Sequence, residues 1–253
     1  MFKPVVVIPV YNHPQRIAQV VSQILAHTSH CVLVNDGSDV QCTQLLRQLA
    51  SHYGPAQVTL TEHTHNQGKG AAVITGMKVA FAAQFTHVLQ VDADGQHQLA
   101  DIEKFIAIAQ RNPTSIICGY PLYDSSVPKG RLYGRYLTHV WVWINTLSFR
   151  IKDSMCGFRV YPLKSIVPLY QQHHLSERMS WDTEVIVKAD WEGIPIINVP
   201  TKVNYPENGV SHFMAFKDNA LISWMHTRLF FGMLWRLPRL LSRAWVENPR
   251  YEE

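Results

Sequence analysis

The chain has 253 residues, 47% of them hydrophobic and 17% charged, with a formal net charge of +4. This composition fills a sizeable core, excludes a disordered or fibrous protein, and is too mildly basic to argue for a nucleic-acid partner. Seven Trp, ten Tyr and ten Phe are spread unevenly, and four cysteines without CxxC spacing argue against a zinc site or a disulfide framework and for a reducing, cytoplasmic setting.

In chain order, residues 4–10, 31–35, 57–62, 87–91 and 115–119 read as short buried strands rich in β-branched residues. Residues 15–26, 41–52, 71–84 and 100–110 between them show helical spacing, and the alternation predicts right-handed βαβ crossovers and a doubly wound, mostly parallel sheet. Beyond residue 129 the pattern changes to a basic, aromatic stretch to 152, helices over 162–173 and 181–191, two short strands at 195–199 and 202–205, and a helix over 215–245 interrupted at Pro238. No apolar run reaches the roughly 20 residues of a membrane span, and the first residues, with Pro9, Asn12 and His13 close behind a short apolar run, give no expectation of an export signal.

Chemistry-bearing residues follow the strands, where ligands of such sheets sit. Asp92 and Asp94 in QVDADGQH stand at i and i+2 and can share one hard cation, with Gln96 and His97 as further ligands, although a plain polar turn has the same spelling. Tyr11 and Asn12 in VYNHP can stack on a base and cap the next helix. Asp36 in NDGSD can accept from a nucleobase or ribose. NQGKG offers the amides of Gly68 and Gly70 and the charge of Lys69 to a diphosphate. Each fragment alone also reads as an ordinary turn or cap; together they point to a nucleotide site. Walker and GxGxxG loops are missing, which weakens ATPase and dehydrogenase readings.

IPVYN, VNDGS, HNQGKGAA, VDADGQ and DSMCGFR, in that order, resemble family 2 glycosyltransferases of the GT-A fold, in particular the polyprenol-phosphate sugar transferases. The resemblance implies nucleotide-sugar contacts from Pro9, Tyr11, Asn12, Asp36, Gly37, Ser38, Gly68, Lys69, Asp92 and Ala93. It also implies a Mn2+ or Mg2+ ion on Asp92, Asp94 and Gln96, completed by His212, and a phosphate contact from Arg159. Asp182, opening a helix where the family carries acidic catalytic residues, is expected as base or acceptor-positioning group. One departure is YPENGVSHF, which lacks the late arginine of the dolichyl-phosphate enzymes; Lys202 or Lys217 would supply that charge. The expected activity is inverting transfer from a UDP- or GDP-sugar to a lipid-linked acceptor, foremost a polyprenyl phosphate. A hydroxyl acceptor, or a non-catalytic nucleotide-binding scaffold, are the alternatives.

Two segments speak to the membrane. Residues 131–152 flank Trp, Tyr and Phe with Arg131, Arg135, Arg150 and Lys152. In the tail, Arg228, Arg236, Arg239 and Arg243 fall within about 80° of a helical wheel, beside an apolar arc of about 140°. Such a helix is expected to lie on an anionic membrane surface at the inner face of the cell membrane, or else to pack on the chain's own core or a partner subunit. The expected organisation is a GT-A domain over 1–213, with a nucleotide-sugar half (1–125) and an acceptor half (126–213), then an amphipathic helical extension over 214–253. No nucleic acid is expected, and a homo-oligomer stays open.

Overall fold

The computed structural model describes residues 1–122, 129–203 and 215–243. A seven-stranded sheet has the order β3-β2-β1-β4-β6-β5-β7. Its parallel half comprises β1 (Pro4–Val10), β2 (Cys31–Asn35), β3 (Val58–Glu62) and β4 (His87–Gln90). β1 is central and covered on both sides, which is why PVVVIPV is an unbroken apolar run and not an alternating one. β5 (Ile116–Leu122) pairs in parallel with β7 (Ile196–Lys202). Between the two halves β6 (Arg159–Pro162) runs antiparallel to both β4 and β5.

Helices cover both faces. α1 (Ile17–His27), α2 (Val40–Tyr53) and α4 (Ile102–Arg111) bury Val20, Leu46 and Phe105 on one side. On the other lie α3 (Lys69–Ala82), α5 (Lys129–Thr146), α6 (Leu163–Gln172), α7 (Trp181–Trp191), α8 (Ala215–Trp235) and α9 (Leu237–Ser242). Among the described residues, no helix is long and apolar enough to cross a membrane.

Two expectations change, and one, the interruption of the tail helix at Pro238, is met. β6 was not anticipated, since four residues beginning with an arginine give no strand pattern. The strand expected at 195–199 runs on through Pro200 to Lys202, which an edge position tolerates because one side needs no ladder donor, while residues 204 and 205 of the second expected strand lie outside the described residues. The tail helix divides between Trp235 and Leu237, ahead of Pro238, which cannot continue the hydrogen-bond ladder.

The cationic wedge of the tail is paired along α7, although Arg239 stays 54% exposed. Arg228 lies 3.3 Å from Glu184, Arg239 3.4 Å from Glu192 and Arg243 3.2 Å from Asp190, while Arg236 sits 4.7 Å over the Trp191 ring. Leu229, Met233 and Leu240 join the core cluster that contains Trp181 and Val185. The wedge answers the acidic and aromatic side chains of α7, and the neighbouring apolar arc is largely core.

Candidate active site

The loops after β1 to β4 meet at one edge of the sheet, and residues 153–157 arrive there because the reversed β6 begins at that edge. Asp36, 2% exposed, organises the meeting. Its Oδ1 accepts from Gln67 N at 2.9 Å and lies 2.8 Å from His63 Nδ1; its Oδ2 accepts from Asn66 Nδ2 at 3.0 Å and Gly68 N at 2.8 Å. A carboxylate only accepts, so His63 Nδ1 carries the proton, and Nε2 faces Thr75 Oγ1 at 2.9 Å. Of the amides in NQGKG, those of Gln67 and Gly68 are thus filled by a side chain of the protein itself. Just beyond the loop, Ala71 N donates to Glu177 O at 2.9 Å.

The glycines of this loop serve packing. A Cβ at Gly68 would stand 2.5 Å from Glu177 O, and one at Gly70 would be 2.8 Å from Trp181 Cβ. Gly37 packs its Cα against the His65–Asn66 backbone, with φ at +66°. Asn12 does not cap α1. From the left-handed region (φ 53°) it accepts from Asp39 N at 2.8 Å, and its own N–H donates to Ser38 Oγ at 3.1 Å, which ties the first loop to the start of α2. Tyr11 is half-buried beside it, whereas Pro9 and Ala93 are buried and bring no polar side-chain group.

Lys69, expected at a diphosphate, bridges two carboxylates. Its Nζ is 2.9 Å from each oxygen of Asp92, in hydrogen-bond geometry to Oδ2, and 2.7 Å from Asp182 Oδ2. The other Asp182 oxygen accepts from Gln90 Nε2 at 2.9 Å. Asp182 is 4% exposed and both its oxygens are taken, so it stands as the counter-ion of Lys69 rather than as an open base. Burial opposes charge on Lys69, but Asp182 and then Asp92 outweigh it and raise the ammonium above the ordinary lysine range. Burial likewise opposes charge on Asp92, and Lys69 followed by His97 holds its carboxyl below the usual range.

Arg159, expected at a phosphate, is 0% exposed within β6 and donates to the Asp182 backbone carbonyl. Its place is beneath the site, where it fixes the first turn of α7. Asp92, Asp94, Gln96 and His97 line a cavity of about 90 Å3 together with Arg135, Cys156 and Gly157. Asp92 Oδ1 is buried with no hydrogen bond of its own, and two carboxylates with an amide oxygen form a hard-oxygen donor set of the kind Mg2+ and Mn2+ take. These residues fit a divalent ion, although no group of three His, Cys, Asp or Glu stands together among the described residues. His212 lies outside those residues, as does the side chain of Lys217; Lys202 is exposed. Cys156 presents no thiolate, since burial and then Asp153 push its thiol up to about 12.

A second cavity of about 200 Å3 adjoins the first and shares Pro121 and Arg135 with it; Tyr120, Tyr136, His139, Trp143, Lys152 and Asp153 complete its lining. Arg135 holds the buried Asp153 through two bonds of 2.6 and 2.8 Å, and Lys152 Nζ lies 4.6 Å over the Tyr120 ring. Sequence reasoning treated Arg135 and Lys152 as surface charges and passed over Asp153. The signal was present in α5, where Arg135, Thr138, His139, Val142 and Thr146 recur at helical spacing as a more polar face.

The molecule can be compared with known proteins on this geometry. The dolichyl-phosphate beta-glucosyltransferase of Mus musculus is 26% identical over 261 residues, covering 95% of this chain and 76% of that protein. The UDP-N-acetylglucosamine–dolichyl-phosphate N-acetylglucosaminyltransferase of Methanococcus voltae is 24% identical over 242 residues, covering 90% and 93%. Glucosyl-3-phosphoglycerate synthase from Mycobacterium tuberculosis, solved with Mn2+ and uridine-diphosphate-glucose, superposes with a TM-score of 0.64 at 12% identity over 92% of this chain and 79% of that one, which gives the fold as GT-A. The family model described as Glycosyl transferase family 2 matches residues 5–165, from β1 through β6. The chain therefore belongs to glycosyl transferase family 2, and within it resembles the polyprenyl-phosphate sugar transferases.

Proposed function

We propose that this glycosyltransferase moves a sugar from a uridine diphosphate donor to the phosphate of a polyprenyl phosphate, with inversion. The observation that carries the reading is the pairing of a sequestered Asp182 with a cavity rimmed by Arg135 and Lys152 beside the acidic pair. A hydroxyl nucleophile needs a base to take its proton, and Asp182 is committed to Lys69 and Gln90. A phosphomonoester, with a second pKa about 6, arrives ionised and needs none. The dolichyl-phosphate acceptors and UDP donors named for the relatives support the same choice.

Arg135 and Lys152 seat the acceptor phosphate, and Tyr136 and Trp143 lie beside the first isoprene units. Asp92, Asp94 and Gln96 would hold Mn2+ or Mg2+, whose charge offsets that developing on the departing diphosphate. Lys69 keeps Asp92 ionised and in place. The new bond joins an acceptor phosphate oxygen to the anomeric carbon, and the bond from that carbon to the donor diphosphate breaks.

The test compares polyprenyl phosphate with the matching polyprenol, in the parent and in Lys152→Ala. Transfer to the phosphate alone, with the acceptor KM raised about tenfold or more by the substitution and donor hydrolysis unchanged, is the expected result. Equal transfer to the polyprenol would overturn it.

A further inference from the structure

We infer that His139 is a third contact of the acceptor phosphate, and that seating the phosphate beside it loads a proton onto its imidazole. This rests on the polyprenyl-phosphate reading above. His139 stands one helical turn after Arg135 on α5, so the two side chains share a face and line the larger cavity together with Lys152. The ring is 9% exposed and fixed by its neighbours: Nε2 lies 3.5 Å from Asp153 Oδ2, Tyr136 meets it edge-on at 6.1 Å and Trp143 stacks on it at 6.4 Å. Asp153 is already well supplied, since Oδ1 accepts from Arg135 Nη2 at 2.8 Å, Met155 N at 2.8 Å and Cys156 N at 2.7 Å, and Oδ2 from Arg135 Nε at 2.6 Å.

A carboxylate only accepts, so the nitrogen facing Asp153 carries the proton of the neutral ring and Nδ1 keeps a lone pair. Among the described residues nothing donates to that lone pair. A phosphate dianion also offers only lone pairs, and the two repel unless Nδ1 takes a proton. Burial holds the ring below the ordinary histidine range, against the pull of Asp153 and with a push from Arg135. A dianion at Nδ1 adds a second negative neighbour and reverses that balance. The other described charged or titratable groups around the ring are Arg135 and Tyr136 on α5, Tyr120 on β5, and Lys152 and Asp153 ahead of β6, with Asp92 and Asp94 beyond Arg135. Of these side-chain types, histidine is the one whose charge ordinarily changes near neutral pH. The product is a phosphodiester with one charge fewer than the acceptor, so transfer weakens the hold on the proton and on the product together.

The experiment titrates the whole chain with farnesyl phosphate in a calorimeter, in buffers of differing ionisation heat, which counts the protons taken up on binding. At about pH 7.5, where a phosphomonoester with second pKa about 6 is already a dianion, the parent is expected to take up about half a proton or more. Its Kd should then rise about three- to tenfold for each pH unit above about 7. In His139→Gln, whose amide can still donate to the phosphate, binding should persist while the uptake and the pH dependence disappear. Thermal unfolding checks the fold of that variant, and the buffer comparison on the parent needs no variant. Farnesyl phosphate bound by the parent without proton uptake overturns the inference and leaves the polyprenyl-phosphate reading standing. Undiminished uptake in His139→Gln overturns the assignment to this ring. Farnesol bound as tightly as farnesyl phosphate, or neither bound, overturns that reading and the inference together.

Discussion

Replacing Gly157 by alanine tests how closely the second half of the chain is fitted to the acidic pair. The backbone at Gly157 lies outside the left-handed region, so the only penalty is room. An added Cβ would stand 2.7 Å from Asp92 Oδ2, 2.9 Å from Asp92 Oδ1 and 2.9 Å from Gln90 Nε2. Ordinary contact begins near 3.4 Å, so the Asp92 carboxylate has to retreat by about 0.7 Å. It cannot do so freely, because Lys69 holds it at 2.9 Å and His97 at 3.4 Å. Overpacking of this kind costs about 1–3 kcal/mol, and a catalytic group misplaced by nearly an ångström loses about 10- to 100-fold in rate. Thermal unfolding, kcat/KM with a UDP-sugar and Mn2+ affinity by paramagnetic resonance together read the effect. Rate and Mn2+ affinity both within about twofold of the parent would refute the reasoning, since they would show that Asp92 is not held where the geometry places it.

Gly134→Ala, in the interior of α5 with open space around it, is expected to stabilise the chain by about 1 kcal/mol, read as a higher Tm. Lys69→Met leaves Asp92 and Asp182 facing one another without their shared cation; unfolding in urea should show a loss of about 3–5 kcal/mol, of which a further Asp182→Asn restores about half. His226 is buried between α5 and α8, and burial lowers it from 6.5 to about 4. The unfolded chain then binds the extra proton first, so stability is intact above pH 6.5 and declines as pH falls toward 4, by up to about 3 kcal/mol. In His226→Gln the same melts should show a flatter acid slope.

The parallel half of the sheet was legible because its strands are short β-branched runs bounded by turn residues. β6 was not, since a charged residue opening a four-residue segment argues against burial until Asp182 is known to offer its carbonyl. The acidic pair was legible from its i, i+2 spacing only in company with the fragments at the other strand ends. The partner of Asp36 could not be read, because whether an aspartate after a strand meets a ligand or the next loop depends on how near the loops approach. That distance is set by Gly37 against the His65–Asn66 backbone, a matter of packing. The tail poses the same limit: a wheel shows that four arginines share a side, but not that Glu184, Asp190 and Glu192 wait opposite it.

The wall formed by Pro121 and Arg135 belongs to both cavities. Two ligands that touch one arginine are thermodynamically linked: whatever factor a bound donor applies to acceptor affinity, the acceptor applies equally to the donor. Because Asp153 restrains that arginine, its adjustment to one ligand is constrained before the other arrives. With donor and acceptor in the two cavities as proposed, the nucleotide product and the acceptor phosphate should change one another's affinity by one common factor, and a substitution at Arg135 should change both together.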